Sequence, residues 1–285
     1  MFRFARSAVF VAAAVAPLTV GAQTAPPAPE LTVLSVFRET VKPGKGPSHD
    51  ALEAAWSMAQ VEAKYPAAML AISAMTGASE NWYMSGFPNW AAFESVNKAM
   101  AENPALAAIQ KKYSSQEGEY LNDGRMMVLT ARPDLSYGPP ADLARMRYMS
   151  VQRITTRPGH ATEFEENRKM TKAAHEAAKL TDRFSVWQAA QGAPTGTYFI
   201  FVARRTIAEL DEAATIHGPA YIAALGGAEG QNKMNANAAA AVVGSENNIF
   251  AFAPMQSIPP TEWVTADPGY WKRKPAPRPA PKPTP

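Results

Sequence analysis

The sequence contains no cysteine, which excludes disulfides, thiolate metal sites, a lipidated cysteine and cysteine nucleophiles. Histidine is scarce, four in 285 residues, so any metal would rely on those few imidazoles, carboxylates and water. The sharp catalytic signatures are missing too. There is no G-x-S-x-G elbow, no H-E-x-x-H, no Walker loop and no dinucleotide fingerprint, and Gly226, Gly227 and Gly230 do not join a strand to a helix opening. Triad hydrolysis and nucleotide chemistry therefore have no support. The apolar run from Ala8 to Val20 falls short of the ~20 residues that a membrane-spanning helix needs.

That run does fit a secretory signal. Arg3 and Arg6 precede it, and Val20-Gly21-Ala22 supplies the small residues a signal peptidase reads, so residues 1–22 are expected to be removed before Gln23. The product is expected in the periplasm or the medium. The formal charge of +3 comes from the ends: Arg3 and Arg6 leave with the signal, and Lys272, Arg273, Lys274, Arg278 and Lys282 crowd the C-terminus. What lies between is mildly acidic, so no nucleic-acid partner is expected.

Residues 23–30 and, within a basic tail over 261–285, residues 271–285 are rich in proline and alanine and are expected to be extended and solvated. The tail is either a weak tether to an anionic surface or an end without a partner. Between these segments lies a repeat. Lys42-Pro43-Gly44-Lys45 returns as Arg157-Pro158-Gly159-His160, and Glu102-Asn103-Pro104-Ala105-Leu106 returns as His217-Gly218-Pro219-Ala220-Tyr221, both prolines displaced by 115 positions.

Each copy, 31–135 and 145–260, reads strand, helix, strand, strand, helix, strand. First strands over 31–40 and 146–155 end at the Pro-Gly turn. In the first copy Leu52, Ala55, Trp56 and Ala59 share a helical face, and in the second Phe164, Thr171, Ala174 and Ala178 do. Hairpin strands follow over 67–75 with 81–87 and 183–190 with 197–203. Helices then restart at Pro104 and Pro219, and last strands cover 125–131 and 248–253.

The order is that of a ferredoxin-like α+β unit, whose sheet has helices on one face only. Leaving the other face bare costs roughly 25 cal/mol per Å² of apolar area. Two tandem units can close their sheets on each other, so a monomeric pseudo-dimeric α/β barrel is expected. The segments Val36-Phe37-Arg38-Glu39-Thr40-Val41-Lys42-Pro43-Gly44, Val151-Gln152-Arg153-Ile154-Thr155-Thr156-Arg157-Pro158-Gly159 and Ile216-His217-Gly218-Pro219-Ala220-Tyr221 resemble the dimeric α/β-barrel superfamily, with its antibiotic-biosynthesis-monooxygenase-like and NIPSNAP-like domains. That resemblance implies cofactor-independent oxygenase or isomerase chemistry. Haem-degrading relatives bind iron through a helix histidine where Pro219–Gly226 offers Ala224 and Leu225, so no cofactor is assigned.

Among candidate residues, His49 reads as a solvated residue of an insertion that the second copy lacks, His160 as a turn residue and His217 as a cap. His175 shares its helix face with Phe164, Arg168 and Thr171, beside Asn167. Buried polar groups on such a stripe need partners or a wet cavity; otherwise the helix turns them to solvent. Trp187 and Tyr198 are either core residues or the wall of a site for a flat apolar or aromatic ligand. The ligand-binding candidates are thus Asn167, Arg168, Thr171, His175, Trp187 and Tyr198, with His175 and Arg168 also the catalytic candidates and no metal ligands assigned. Three functions stay open: a small-molecule-binding or sensing module, a cofactor-independent enzyme, and a structural or interaction protein.

Overall fold

The computed structural model describes residues 30–273, apart from residue 217 and the side chains of 213–216. The expected signal, most of the N-terminal linker, His217 and the tail beyond residue 273 lie outside the described residues. Among the described residues no helix is long and apolar enough to cross a membrane.

The first half runs β1 (Val33–Val41), α1 (Gly46–Glu62), β2 (Leu70–Ala74), β3 (Glu80–Phe87), α2 (Trp90–Glu102), α3 (Pro104–Glu117) and β4 (Leu121–Ala131). A 3-10 turn at Leu143–Arg145 leads to the second half: β5 (Tyr148–Thr156), α4 (Ala161–Ala178), β6 (Ser185–Gln191), β7 (Thr197–Arg204), α5 (Glu209–Ile216), α6 (Pro219–Ala224), α7 (Gly227–Ala241) and β8 (Val242–Phe252). Two short helices follow, α8 (Thr261–Ala266) and α9 (Pro268–Trp271).

The strands close into one antiparallel barrel in the order β1-β3-β2-β8-β5-β7-β6-β4. Each half contributes four contiguous strands, and the halves meet at β2–β8 and β4–β6. The repeat is visible in the details. Both first strands enter their helices through a Pro-Gly turn, with Gly44 and Gly159 at φ +76° and +85°, a region open to glycine. Both carry a register shift at the same place, Thr40/Val41 and Thr155/Thr156.

Alternation along the strands sends one set of side chains into the barrel and the other under the helices. The interior packs Val36, Ile72, Trp82, Met127, Leu129, Val151, Phe199 and Phe250 into one apolar core. Outside, Ile154, Phe164, Val186, Tyr198, Ile200 and Ala241 fill the space beneath the helices of the second half. This sheet-to-sheet closure is the arrangement expected from the tandem units.

Two expectations need correction. The described start of the stretch expected to be solvated, residues 271–273, is packed on the fold: Trp271 is 1% exposed, its Nε1 donates to the Ala144 carbonyl oxygen at 2.7 Å, and it packs against Phe252, Trp263 and Tyr270. Arg273 donates to Ser57 Oγ and to the Ala54 and Ser257 carbonyls, tying this segment to α1. Nor does His49 sit in an insertion. Helix α1 starts at Gly46 with proline in its first turn, matching the start of α4 at Ala161 with the same 115-residue displacement.

Candidate functional site

Three places in the barrel gather ionisable side chains. The first is an open end, where clefts of about 290 and 380 Å³ are lined by Arg38, Arg125, Arg153, Asp123, Glu80 and Glu246. Its charges are internally matched. Arg38 pairs with Glu80, Arg125 with Asp123 at 2.6 Å, and Arg153 with Glu246 at 2.6 Å. A cleft whose cations already hold carboxylates offers little to an anionic or cationic ligand.

The second place lies beneath α4, where the sequence points. The helix presents Asn167, Thr171 and His175 as buried residues, with Arg168 partly covered beside them. Tyr137 Oη donates to the His175 and Leu180 carbonyl oxygens and so clamps the end of α4. His175 is 1% exposed; its Nδ1 lies 2.8 Å from the Thr171 carbonyl oxygen and its Nε2 lies 3.2 Å from Asp182 Oδ2. A carbonyl can only accept, so Nδ1 carries the proton. With both nitrogens engaged, neither His175 nor the Ala224-Leu225 stretch of α6 fits haem iron.

Arg168 is the exception in this half. Its guanidinium stacks 4.6 Å above the Phe184 ring, its Nε is sealed from solvent without a hydrogen-bond partner, and no ion pair reaches it among the described residues. Burial pulls its pKa down to about 10. Asn167 Oδ1 and Asp182 Oδ1 are likewise sealed and unpartnered, although Asn167 Nδ2 donates to the Met234 carbonyl at 2.7 Å. The structure thus brings together Arg168, Thr171 and His175 under aromatic rings of Tyr137, Phe184 and Tyr221. Trp187 belongs elsewhere, packed against the barrel interior on the opposite face of the sheet. Tyr198 is fully buried below the first turns of α4, its ring 4.5 Å from that of Phe164 and tilted 41° to it, with its hydroxyl donating to Glu165.

The third place is the one sequence reasoning missed. Helix α1 turns His49, Glu53, Trp56 and Ser57 to the sheet, not the apolar face expected from Leu52, Ala55 and Ala59. His49 is 0% exposed, and its Nε2 stands 2.7 Å from Oε2 of Glu39, itself 1% exposed on β1. Glu53 from α1, Glu117 from the end of α3 and Tyr83 from β3 are also buried there. Above them Trp56 stacks on Tyr113, rings 5.7 Å apart and 9° from parallel. Tyr83 Oη and Asn81 Nδ2 both donate to Gln256 Oε1, whose Nε2 donates to Asp50.

The electrostatics of this pocket follow from dryness and crowding. Burial opposes charge on His49, but Asp50 and Glu39 favour it more and raise its pKa to about 9. Burial pushes Glu53 up to about 7, and burial together with the neighbouring Glu39 pushes Glu117 up to about 9. Burial also lifts Tyr83 well above the usual phenol range, whereas His49 holds Asp50 below the usual carboxylate range. Four polar atoms in the pocket have no partner: His49 Nδ1, Glu53 Oε1, Trp56 Nε1 and Glu117 Oε1.

The repeat itself would have found this site. Moving 115 positions back from Phe164 and Arg168 lands on His49 and Glu53, and from Ile154 on Glu39. The register of the strands makes Tyr83 the counterpart of Ile200. An apolar cluster in one half is therefore an acidic one in the other.

No protein-family model matches the chain. No curated protein matches it in sequence. Solved structures match it in shape. A protein from Fusobacterium nucleatum described as a putative monooxygenase superposes with a TM-score of 0.50 at 10% identity, over 78% of this chain and 93% of the other. An anthrone oxidase-like protein superposes with a TM-score of 0.51 at 12% identity, over 78% and 92%. At such identities the likeness speaks for the fold alone, and the chain has the dimeric α/β-barrel fold with both units in one polypeptide.

Proposed function

We propose that the protein is a small-molecule-binding module whose second half captures an organic anion, a carboxylate or enolate borne on an aromatic or apolar body. One observation carries this reading: the guanidinium of Arg168 lies against Phe184 with a sealed Nε and, among the described residues, no counter-ion. Leaving one buried charge without its partner costs on the order of 3–5 kcal/mol, which a bound carboxylate would offset through bidentate hydrogen bonds. The rings of Phe184 and Tyr221 supply the apolar wall, and the residual exposure of Arg168 gives a ligand access.

The test is a thermal-shift titration of the full chain with benzoate, phenylacetate and salicylate, since a ligand that binds the folded state raises its melting temperature. Stabilisation is expected for the wild type and none for Arg168→Ala. If no aromatic carboxylate stabilises the protein at millimolar concentration, or if Arg168→Ala responds equally, the reading fails.

A second reading is catalytic. The two solved structures of similar shape are described as a putative monooxygenase and anthrone oxidase-like, and the His175–Asp182 pair lies against the same Phe184 ring as the Arg168 cation. Oxygen uptake with an anthrone-like or quinol substrate and no added metal would favour catalysis over binding. In either case we propose that the mature chain starts near Gln23 and works in the periplasm or outside the cell. N-terminal sequencing of the native product that found Met1 retained would count against export.

A further inference from the structure

We propose that the first half holds a divalent transition-metal ion, of the manganese, iron(II) or zinc class, bound by Glu39, His49 and Glu53. This site is independent of the anion site in the second half.

The three side chains converge from two elements. Glu39 projects outward from β1, while His49 and Glu53, four residues apart, lie on one face of α1. Each offers a ligand atom, and these atoms all lie within 4.8 Å of one another. Two ligands sharing one ion at the usual 2.0–2.2 Å lie at most about 4.4 Å apart, so side-chain adjustment without backbone movement is enough. One imidazole with two carboxylates is a borderline-to-hard donor set, suited to manganese, iron(II) or zinc and poor for copper(I). All three residues are at least nine-tenths buried.

Proximity of acidic groups alone would say little. The second observation is that carboxyl oxygens of this same cluster are sealed and unpartnered: Glu53 Oε1 and, next to it, Glu117 Oε1. Buried polar atoms in folded proteins nearly always have a partner. Here one occupant would satisfy both at once. Trp56, one turn beyond Glu53 on α1, stacks on Tyr113 beside the cluster. The surroundings also resemble a second shell. Asp50 lies 3.8 Å from His49 Nδ1, and Gln256 links Asp50 with Asn81 and Tyr83.

The experiment strips the full chain with a chelator, re-equilibrates it separately with Mn²⁺, Fe²⁺ under anaerobic conditions and Zn²⁺, and measures bound metal and melting temperature. One ion per chain and a raised melting temperature are expected for at least one metal. Glu39→Gln and Glu53→Gln should weaken binding by at least roughly the 10–100-fold that loss of a supporting group causes. Glu62→Gln, on the exposed side of the same helix, should leave binding unchanged. If those two Gln variants do not fold, pulsed electron paramagnetic resonance on the Mn²⁺-loaded wild type decides: coupling to one imidazole nitrogen supports the site, and its absence overturns it. A chain that takes up no stoichiometric metal, or binds it equally in folded Glu39→Gln and Glu53→Gln, holds only protons in this pocket and the proposal is wrong.

Discussion

Glu53 and Arg168 occupy equivalent positions, 115 residues apart, on α1 and α4, one an acid and the other a base. Beneath Glu53 the sheet offers Glu39 and Tyr83; in the second half Ile154 and Ile200 take their places. The repeat has therefore kept its backbone while its two outer clefts have diverged, one acidic and sealed, the other holding a cation with no ion pair among the described residues.

Replacing Arg168 by methionine should leave the unliganded protein as stable as before or slightly more so. Exchanging a buried charge for an apolar side chain of similar length removes a desolvation penalty. Differential scanning calorimetry in the absence of ligand tests this. A large loss of stability would reveal a structural partner for the guanidinium and weaken the case for an anion site.

Trp271→Ala should destabilise the fold by roughly 3–5 kcal/mol, the usual cost of deleting a large buried aromatic. The residue is 1% exposed and donates its indole N–H to Ala144. Urea unfolding followed by circular dichroism measures it. A change below about 1 kcal/mol would mean that the terminal helices are only loosely applied.

Stability should fall on acidification through the Arg132 network. Arg132 holds the carboxyls of Glu165 and Asp134 below their ordinary values of 4.5 and 3.8, with Tyr198 also donating to Glu165. Groups whose folded pKa is depressed contribute stability above the unfolded pKa and lose it as pH drops through the folded one. Arg132→Gln should consequently move the acid-unfolding midpoint to higher pH while changing little at pH 7 to 8 beyond a constant offset. Glu165 matters more than the half-exposed Asp134, whose pairing solvent screens. An unchanged acid midpoint would remove this network from the account.

Residues 31–135 produced alone should not yield a monomer that unfolds cooperatively. Leu70, Ile72, Trp82, Met127 and Leu129 would lose the facing half of their core, which Phe199, Phe201, Phe250 and Phe252 supply. Size exclusion with light scattering should find a dimer or aggregate. A stable soluble monomer would contradict the pairing of the two sheets as the source of stability.

Much of this architecture is legible in the chain. The Pro43-Gly44 and Pro158-Gly159 turns fix the repeat because only certain backbone angles suit them, and strand alternation around them reads correctly. Arg168, Thr171 and His175 are legible as an inward polar stripe since Phe164 marks the buried face. The acidic pocket is not read, for a physical reason. Apolar periodicity presumes that the inward face of a helix is apolar, and α1 inverts this by burying His49 and Glu53 while Leu52 and Ala55 keep some exposure. Trp271 is hidden for another: its neighbours Lys272, Arg273 and Lys274 and the prolines after them dominate the local composition, and nothing local reveals one indole seated in a distant cavity.

The two seams of the ring are short ladders. Three residue pairs join β2 to β8 and four join β4 to β6, as many as join β2 to β3 and β6 to β7 within the halves, against eight between β1 and β3. If the halves part, they part at these seams, and each then presents two bare strand edges. A neighbouring molecule opened in the same way offers the complementary edges, so two chains can exchange halves and rebuild two complete rings from the same contacts. Domain-swapped dimers are thus the natural by-product of concentrating or refolding this protein, distinguishable from ordinary association because each ring would contain strands from both polypeptides.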